Sequence, residues 1–374
     1  MQIVAQGWLV YQLSHSDLSL GIVAFAGAIP ALVVLPWGGV VVDRVPKRTV
    51  LVITQASAMM LAFILAALAF AGVAQVWHVI ALAAALGLVN AFDAPARQAF
   101  VVEMVGREDL TNAIALNSMM FNGARVIGPA IGGLLLASVG TAWCFFINGL
   151  SFLAVIAGLL LMQLPAAAKG RAKGAPLKEL AGGVKYVFKH VEQFALILLA
   201  LIYAVFGLSY GALLPAFADQ MLHAGATGFG LLNAATGLGA MLGALFIART
   251  GGGGQRGQWL IAASLAFPVV LAIFAFVPVF AASLLLALLL GLLFMIQFTL
   301  INTLIQLQVA DEMRGRVMAL YSLTFFGFQP FGNLAAGNLA EYWGLSFTIG
   351  MSAAIAATLC LVVLFLVPRM RKMA

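Results

Sequence analysis

Residues 38–48 read GGVVVDRVPKR, two glycines and three valines that close an apolar run, followed by one acid and three bases within six positions. So dense a cluster stands out in a chain of 374 residues that is 64% hydrophobic and 8% charged. An ordinary soluble domain is roughly a quarter charged. No soluble core can bury this much apolar surface, so lipid must solvate most of the chain. The cluster then marks the point where one membrane span ends and the chain turns at the headgroups.

Working outward from it, a span needs about 20 apolar residues to cross about 30 Å of hydrocarbon. Candidate spans fall at 1–13, 19–42, 49–71, 76–96, 112–138, 143–164, 194–218, 228–249, 257–277, 279–307, 317–340 and 344–367, twelve in all. The first is short, rising only about 20 Å, and reads as the second half of a helix that begins upstream. Prolines such as Pro36, Pro95, Pro129, Pro215, Pro268 and Pro330 fall within or near these spans. Bundled membrane helices tolerate them because neighbours satisfy the freed backbone groups.

Alternate connections carry the bases: Arg44, Lys47 and Arg48; Arg97 and Arg107; Lys169 to Lys189; Arg249 and Arg256; Arg314 and Arg316; and Arg369, Arg371 and Lys372. The other connections carry none. Positive residues stay cytoplasmic during insertion, so the basic side, with the C-terminus, is expected in the cytoplasm. The longest connection, 165–193, is basic and rich in small residues, with only weak helical character near its end. It divides the chain into a bundle at 1–164, a linker at 165–193 and a second bundle at 194–374. Its bases read first as topology signals, with a partner or anionic lipid as the alternative.

Several chemistries find no support. Cys144 and Cys360 sit in separate apolar runs and read as free thiols. GLSYG (207–211) has the hydrolase-elbow spacing but lies inside an apolar helix, not at a strand-turn-helix junction. GGGGQRG (251–257) lacks the lysine and hydroxyl of a phosphate loop, and no HExxH or metal cluster occurs. The reading is therefore no enzyme, no cofactor, no metal and no nucleic-acid partner.

The halves resemble each other. ALNSMMFNGARVIGPAIGG (115–133) aligns without a gap on ALYSLTFFGFQPFGNLAAG (319–337), placing Arg125 on Gln329, Gly128 on Gly332 and Gly133 on Gly337. Internal duplication of helical bundles is a common plan of secondary transporters. On these residues the chain resembles the major facilitator superfamily. GGVVVDRVPKR is similar to the superfamily's cytoplasmic signature, and GPAIGG (128–133) to its antiporter signature. MQIVAQGWLVYQLSHSDLSLGIVAF, NAFDAPARQAFV and NAIALNSMMFNGARVIGPAIGG resemble the enterobactin and macrolide exporter branch. In that branch further first-helix residues precede the opening stretch. Pro46 stands where the signature usually has glycine, and the second-half copy at 244–258 lacks the acid.

The resemblance implies an all-α integral membrane protein with the major facilitator fold, two six-helix pseudo-repeats and an incomplete first helix. It implies a monomer in the bacterial inner membrane. The expected function is a proton-coupled efflux antiporter for a siderophore-like or drug-like molecule, working by alternating access and driven by the proton gradient. The alternatives are an importer, or a sensor or assembly subunit that keeps the fold without transporting.

Site residues follow from the same stretches. Gly39, Asp43, Arg44, Lys47, Arg48 and Arg97 are expected to form a conformational latch, with Arg97 the ionic partner of Asp43. Asn122, Arg125, Gly128, Pro129, Gly132 and Gly133 belong to the antiporter-signature helix. Asn122, Arg125, Pro129 and Gly132 recur at three- and four-residue spacing and so share a face. Arg125, a charge at membrane depth, needs a partner, and Asp93, Asn122 and Asn90 are the candidates. Asp93, near an apolar helix end, is the candidate for proton coupling, whereas Asp17, Asp219 and Glu341 at outer ends are expected to be solvated. Tyr203, Phe206 and Tyr210 share one helix face and Phe298, Asn302 and Gln306 another. With Gln329 they are candidate lining for an amphipathic solute.

Overall fold

The computed structural model describes residues 2–105, 110–162, 176–250 and 255–372. Among these no strand occurs, and short connections alone interrupt the helices. They are α1 (Gln2–Ser14), α2 (Asp17–Arg44), α3 (Lys47–Phe70), α4 (Val76–Val105), α5 (Leu110–Leu161), α6 (Pro176–Lys189), α7 (Val191–Ile202), α8 (Tyr210–Ala216), α9 (Gly225–Thr250), α10 (Arg256–Phe276), α11 (Phe280–Gln308), α12 (Asp311–Trp343) and α13 (Leu345–Leu366). Among the described residues nine stretches are long and apolar enough to cross a membrane. The expected spans at 1–13 and 317–340 form helices but fall short of that measure, and those at 112–138 and 143–164 share one stretch, Ile131–Leu161. α1 has only 13 residues, and α12 is diluted by Gln329, Pro330 and Asn333.

The chain divides into two compact units. One comprises Met1–Ser14 and Val23–Lys173, the other His15–Ile22 and Gly174–Ala374. One boundary, between Lys173 and Gly174, falls within the expected linker at 165–193, and the other two bracket His15–Ile22. That linker is corrected in one respect: residues 176–189 are a formed helix, α6. A Cβ on Gly183 would meet the Arg316 carbonyl oxygen at 2.8 Å, so α6 lies backbone-close on the first turns of α12.

In the first unit, α5 runs as one path through two expected spans. It breaks at Gly140, whose φ of +81° and ψ of 177° leave the helix. Glycine alone adopts that left-handed φ at little cost. Below the break, Trp143 and Phe146 meet Phe70 at ring distances of 5.1 and 6.4 Å, and Phe146 lies 5.6 Å from Phe63. These contacts fasten α5 to α3. The Asn148 amide donates to Gln2 Oε1 at 2.9 Å and ties α1 to the same helix.

In the second unit the span at Val191–Met221 is irregular. Two π-helical turns, Tyr203–Gly207 and Phe217–Met221, flank α8. Wider bonds keep the backbone paired: Leu208 N–H donates to Tyr203 O at 2.9 Å and Leu222 N–H to Phe217 O at 3.3 Å. Both turns pack inward, with Tyr203 on Phe267 at 5.1 Å and Phe217 stacked on Phe274 at 4.5 Å.

The stretch His15–Ile22 is bound to the end of α12. Glu341 Oε2 accepts from Ser16 Oγ at 2.8 Å and from Leu18 N–H at 3.2 Å, capping the start of α2. These bonds, Leu18's first, hold the Glu341 carboxyl below its ordinary range. Asp17 is only 7% exposed, which corrects its expected solvation.

The tightest approach joins α9 to α11. Cβ atoms on Gly239 and Gly243 would strike the carbonyls of Leu288 and Leu292, and one on Gly291 would strike the Thr236 carbonyl. Small residues one turn apart let helix backbones approach in lipid, where dispersion replaces the hydrophobic drive. Gly291→Val should therefore lower stability by about 3 kcal/mol, read as a fall in thermal unfolding midpoint in detergent. Gly158→Ala, whose Cβ meets nothing within 4 Å, should leave the midpoint unchanged or slightly raised.

Candidate functional site

The turn that carries the charge cluster is held by an apolar plug. Val42, Val50, Leu51, Ala96, Phe100 and Leu159 form a buried cluster, packed round by Val45, Val52, Phe92 and Met104. Contributions from α2, α3, α4 and α5 thus fix the ends of four helices around one turn. Pro46 caps the start of α3 with φ −54° and ψ 125°. Its carbonyl accepts from Thr49 N–H at 2.9 Å and Val50 N–H at 3.2 Å. The ring fixes φ near the required value and lacks only an N–H that an N-terminal position does not need. Proline thus closes this turn without the glycine of the signature. Arg48 donates to the Leu160 carbonyl near the end of α5, where a cation is favoured by the helix dipole.

A polar knot lies above this plug, between α3 and α4. Asp93 Oδ1 accepts from Thr54 Oγ1 at 2.8 Å and from Gln55 Nε2 at 2.7 Å. Asp93 Oδ2 accepts from Arg97 Nη2 at 2.9 Å and Nε at 3.3 Å. Positions 93 and 97 are one turn apart, so the ion pair is built along the face of α4. The Asp93 side chain is 13% exposed and that of Arg97 46%. Four donors therefore surround one carboxylate, and the charged one has its outer side in solvent.

The structure gathers some of the expected site residues and not others. Arg97, expected to pair with Asp43, is engaged by Asp93 on its own helix. The side chains of Asp43, Asn122, Arg125 and Pro129 lie outside the described residues, as does burial at Gly39. Arg44 is exposed, and Lys47 is partly buried. Gly132 and Gly133 are buried, with Cys144 Sγ 3.9 Å from the Gly132 carbonyl. A Cβ on Gly128 would meet nothing within 4 Å among the described residues.

Two expected cavity residues turn into the second unit's core. Tyr203 is 2% exposed and donates its hydroxyl to the Ser264 carbonyl at 2.7 Å. Tyr210 is 7% exposed, its ring 5.9 Å from Phe274. Neither is available to a solute here, because the π-helical turns rotate this face inward. Phe206, Phe298, Asn302 and Gln329 are partly accessible and Gln306 is exposed. Phe298 joins Phe294, Tyr321 and Phe325 in an aromatic cluster across α11 and α12, with ring distances of 5.0 to 6.2 Å.

Thr54 and Gln55 are the knot residues missing from the sequence expectations. The signal was present: two adjacent hydrogen-bonding side chains in the apolar run VLVITQASAMM (50–60). Both are buried, at 6% exposure each, and buried polar groups need partners. That rule alone points from them to an acid on a neighbouring helix.

With this geometry in place, comparisons with other proteins become informative. The family described as "Transmembrane secretion effector" matches residues 1–374. The multidrug efflux pump Tap of Mycolicibacterium fortuitum is 27% identical over 381 residues, covering 99% of this chain and 92% of that protein. The staphyloferrin A transporter of Staphylococcus aureus is 28% identical over 247 residues, 65% of this chain and 62% of that one. The enterobactin exporter EntS of Shigella boydii is 30% identical over 224 residues, 59% and 52% of the respective chains. In these last two, the match spans less than two thirds of the relative's length. Among solved structures, the nucleoside transporter NupG superposes with a TM-score of 0.75 at 14% identity, covering 98% of this chain and 94% of that one. A bacterial homologue of the lysosomal transporter Spinster gives 0.68 at 16% identity, covering 99% and 93%. Likeness at such identity speaks for the fold alone.

The knot makes a stability prediction. Asp93→Leu leaves the Gln55 amide and the Arg97 guanidinium without this acceptor, while Thr54 keeps the Leu51 carbonyl at 3.0 Å, and should cost about 3 kcal/mol, whereas Thr54→Val removes one bond to the carboxylate and should cost about 1 kcal/mol. Thermal unfolding in detergent should rank wild type above Thr54→Val above Asp93→Leu. Equal midpoints for all three would mean that the knot carries no stability.

Proposed function

The chain belongs to the transmembrane secretion effector family of the major facilitator superfamily, and from that premise we propose that it is a proton-coupled exporter of amphipathic small molecules. It is a multi-pass membrane transporter, not an enzyme. The finer reading assigns it to the bacterial inner membrane as a monomer, with the basic connections and C-terminus in the cytoplasm. It uses no cofactor and draws its energy from the proton gradient. The observation that carries export is the near full-length similarity to a protein named for multidrug efflux. Similarity to a named siderophore exporter and a named siderophore transporter extends the substrate class to siderophore-like solutes.

In this reading Asp93 is the proton-binding group and Arg97 its exchangeable counter-ion. A protonated carboxyl has one fewer acceptor site and gains a donor, so one of its four incoming bonds must go. Gln55 is buried and would be left unpaired at a cost, and the Thr54 hydroxyl would fall back on the Leu51 carbonyl, 3.0 Å away. Arg97 is nearly half exposed, and water can solvate its guanidinium once it swings out. Proton uptake thus releases the arginine and retains the two neutral donors. The freed guanidinium then becomes available to Asp43, the latch partner expected from the sequence. Transport then proceeds by alternating access, with Asn302, Gln306 and Gln329 as proposed contacts of the solute.

Everted membrane vesicles test this. Substrate uptake should depend on an imposed proton gradient and collapse on adding a protonophore. Binding without uptake would favour a sensor, and uptake only in right-side-out vesicles would favour import. Asp93→Asn should abolish gradient-driven accumulation while leaving substrate exchange at equilibrium intact. Undiminished accumulation would remove Asp93 from the coupling path. Asp43→Asn should slow turnover with normal insertion.

A further inference from the structure

We propose that α6 and the chain end form a docking site for anionic phospholipid headgroups, presented at the membrane surface by the second unit. The site stands on depth, rigidity and charge. Depth is set by Phe188, which is 70% exposed yet has its ring 5.2 Å from that of Phe194. Phe194 lies in the first turn of the span that begins at Val191, and Val191 is itself 58% exposed. Phe188 therefore sits level with the start of a membrane-spanning helix, where its outer neighbours are lipid chains and headgroups.

Rigidity comes from the opposite face of α6. Gly182 and Gly183 lie against Arg316, and Val187 is 2% exposed. Tyr186 stacks on His190 at 4.1 Å and its carbonyl lies 2.8 Å from His190 Nδ1, closing the turn into α7. The helix is thus held in place and needs no lipid to fold it.

Charge then selects the lipid. Lys185 and Lys189, one turn apart, are both exposed on the face away from the Gly183–Val187 contact. The 3-10 turn Pro368–Lys372 adds Arg369, 85% exposed, with Nη1 4.0 Å from Glu192 Oε1. Lys189 precedes α7 by two residues and Arg369 reaches Glu192 in its first turn, so exposed bases flank the start of the span. An apolar wedge at the acyl boundary, flanked by long cationic side chains that reach headgroup level, is the arrangement by which an amphipathic helix reads an anionic surface. A basic segment beside a membrane span gains from anionic lipid in the same way. A soluble partner does not fit, because the wedge lies level with the span and lipid would have to be displaced to reach it.

Native mass spectrometry of the purified full chain tests the site, with dioleoylphosphatidylglycerol or dioleoylphosphatidylcholine added to detergent micelles. Wild type should retain phosphatidylglycerol in preference to phosphatidylcholine. Lys185→Gln/Lys189→Gln should lower that retention about 30-fold, about fivefold for each lysine. Arg249→Gln/Arg256→Gln, which removes the same charge from another connection, should leave it unchanged. Equal loss in both double variants would reduce the effect to net charge and overturn the site, as would equal retention of the two lipids by wild type. The same spectra count protein copies. A dimer that Phe188→Ser converts to monomer would assign the patch to a second copy of the chain and overturn the lipid.

Discussion

A backbone amide in hydrocarbon has no water to turn to, so every N–H and C=O in the spans must find a partner within the protein. This constraint makes the described chain almost wholly helical, and it also governs where helices are allowed to fail. Gly140 breaks α5 between two apolar segments. The irregular seventh span keeps its amides paired by widening to π-helical bonds at Tyr203 and Phe217. Both of these turns are packed against aromatic rings of α10. The irregular turns at Tyr203 and Phe217 thus lie where protein covers them, whereas the break at Gly140 falls between two expected spans beside exposed residues.

The same constraint explains what the sequence makes legible. Twelve apolar runs announce spans because lipid selects on composition, and the helices found follow those runs closely. α6 is harder to read. Its residues PLKELAGGVKYVFK (176–189) are charged and glycine-bearing like a linker. Its glycines, which weaken a helix by propensity, are present because the chain must pass the Arg316 backbone closely. A reading by propensity counts them as disruption, whereas packing uses them as contact. Asp17 was hidden for a related reason. An acid beside a span looks solvated until a distant segment, here the end of α12 with Glu341, covers it.

The polar knot shows the limit more sharply. An acid and a base in NAFDAPAR (90–97) are plainly present, and the sequence offers several partners for each. Spacing alone favours the pair one turn apart on α4, but a signature elsewhere in the chain draws attention to Asp43. Which pairing holds depends on the approach of α3, because Thr54 and Gln55 fix the carboxylate from the far side. Those two residues carry no charge and form no motif. Only the rule that buried hydrogen-bonding groups need partners makes them conspicuous.

Duplication gives a further step. Gly128 and Gly332 occupy equivalent positions in the two aligned helices, yet their surroundings differ. A Cβ on Gly332 would strike the Val205 carbonyl inside the π-helical turn, while one on Gly128 would meet nothing within 4 Å among the described residues. The second unit has therefore spent its copy of this glycine on close packing against an irregular span. Charge follows the same division. The first unit pairs its buried Asp93 with Arg97, whereas in the second the buried Asp17 lies at a helix start and Tyr203 bonds a neutral carbonyl, that of Ser264. A glycine held against a backbone carbonyl cannot separate without exposing that carbonyl, so the α12 contact resists motion.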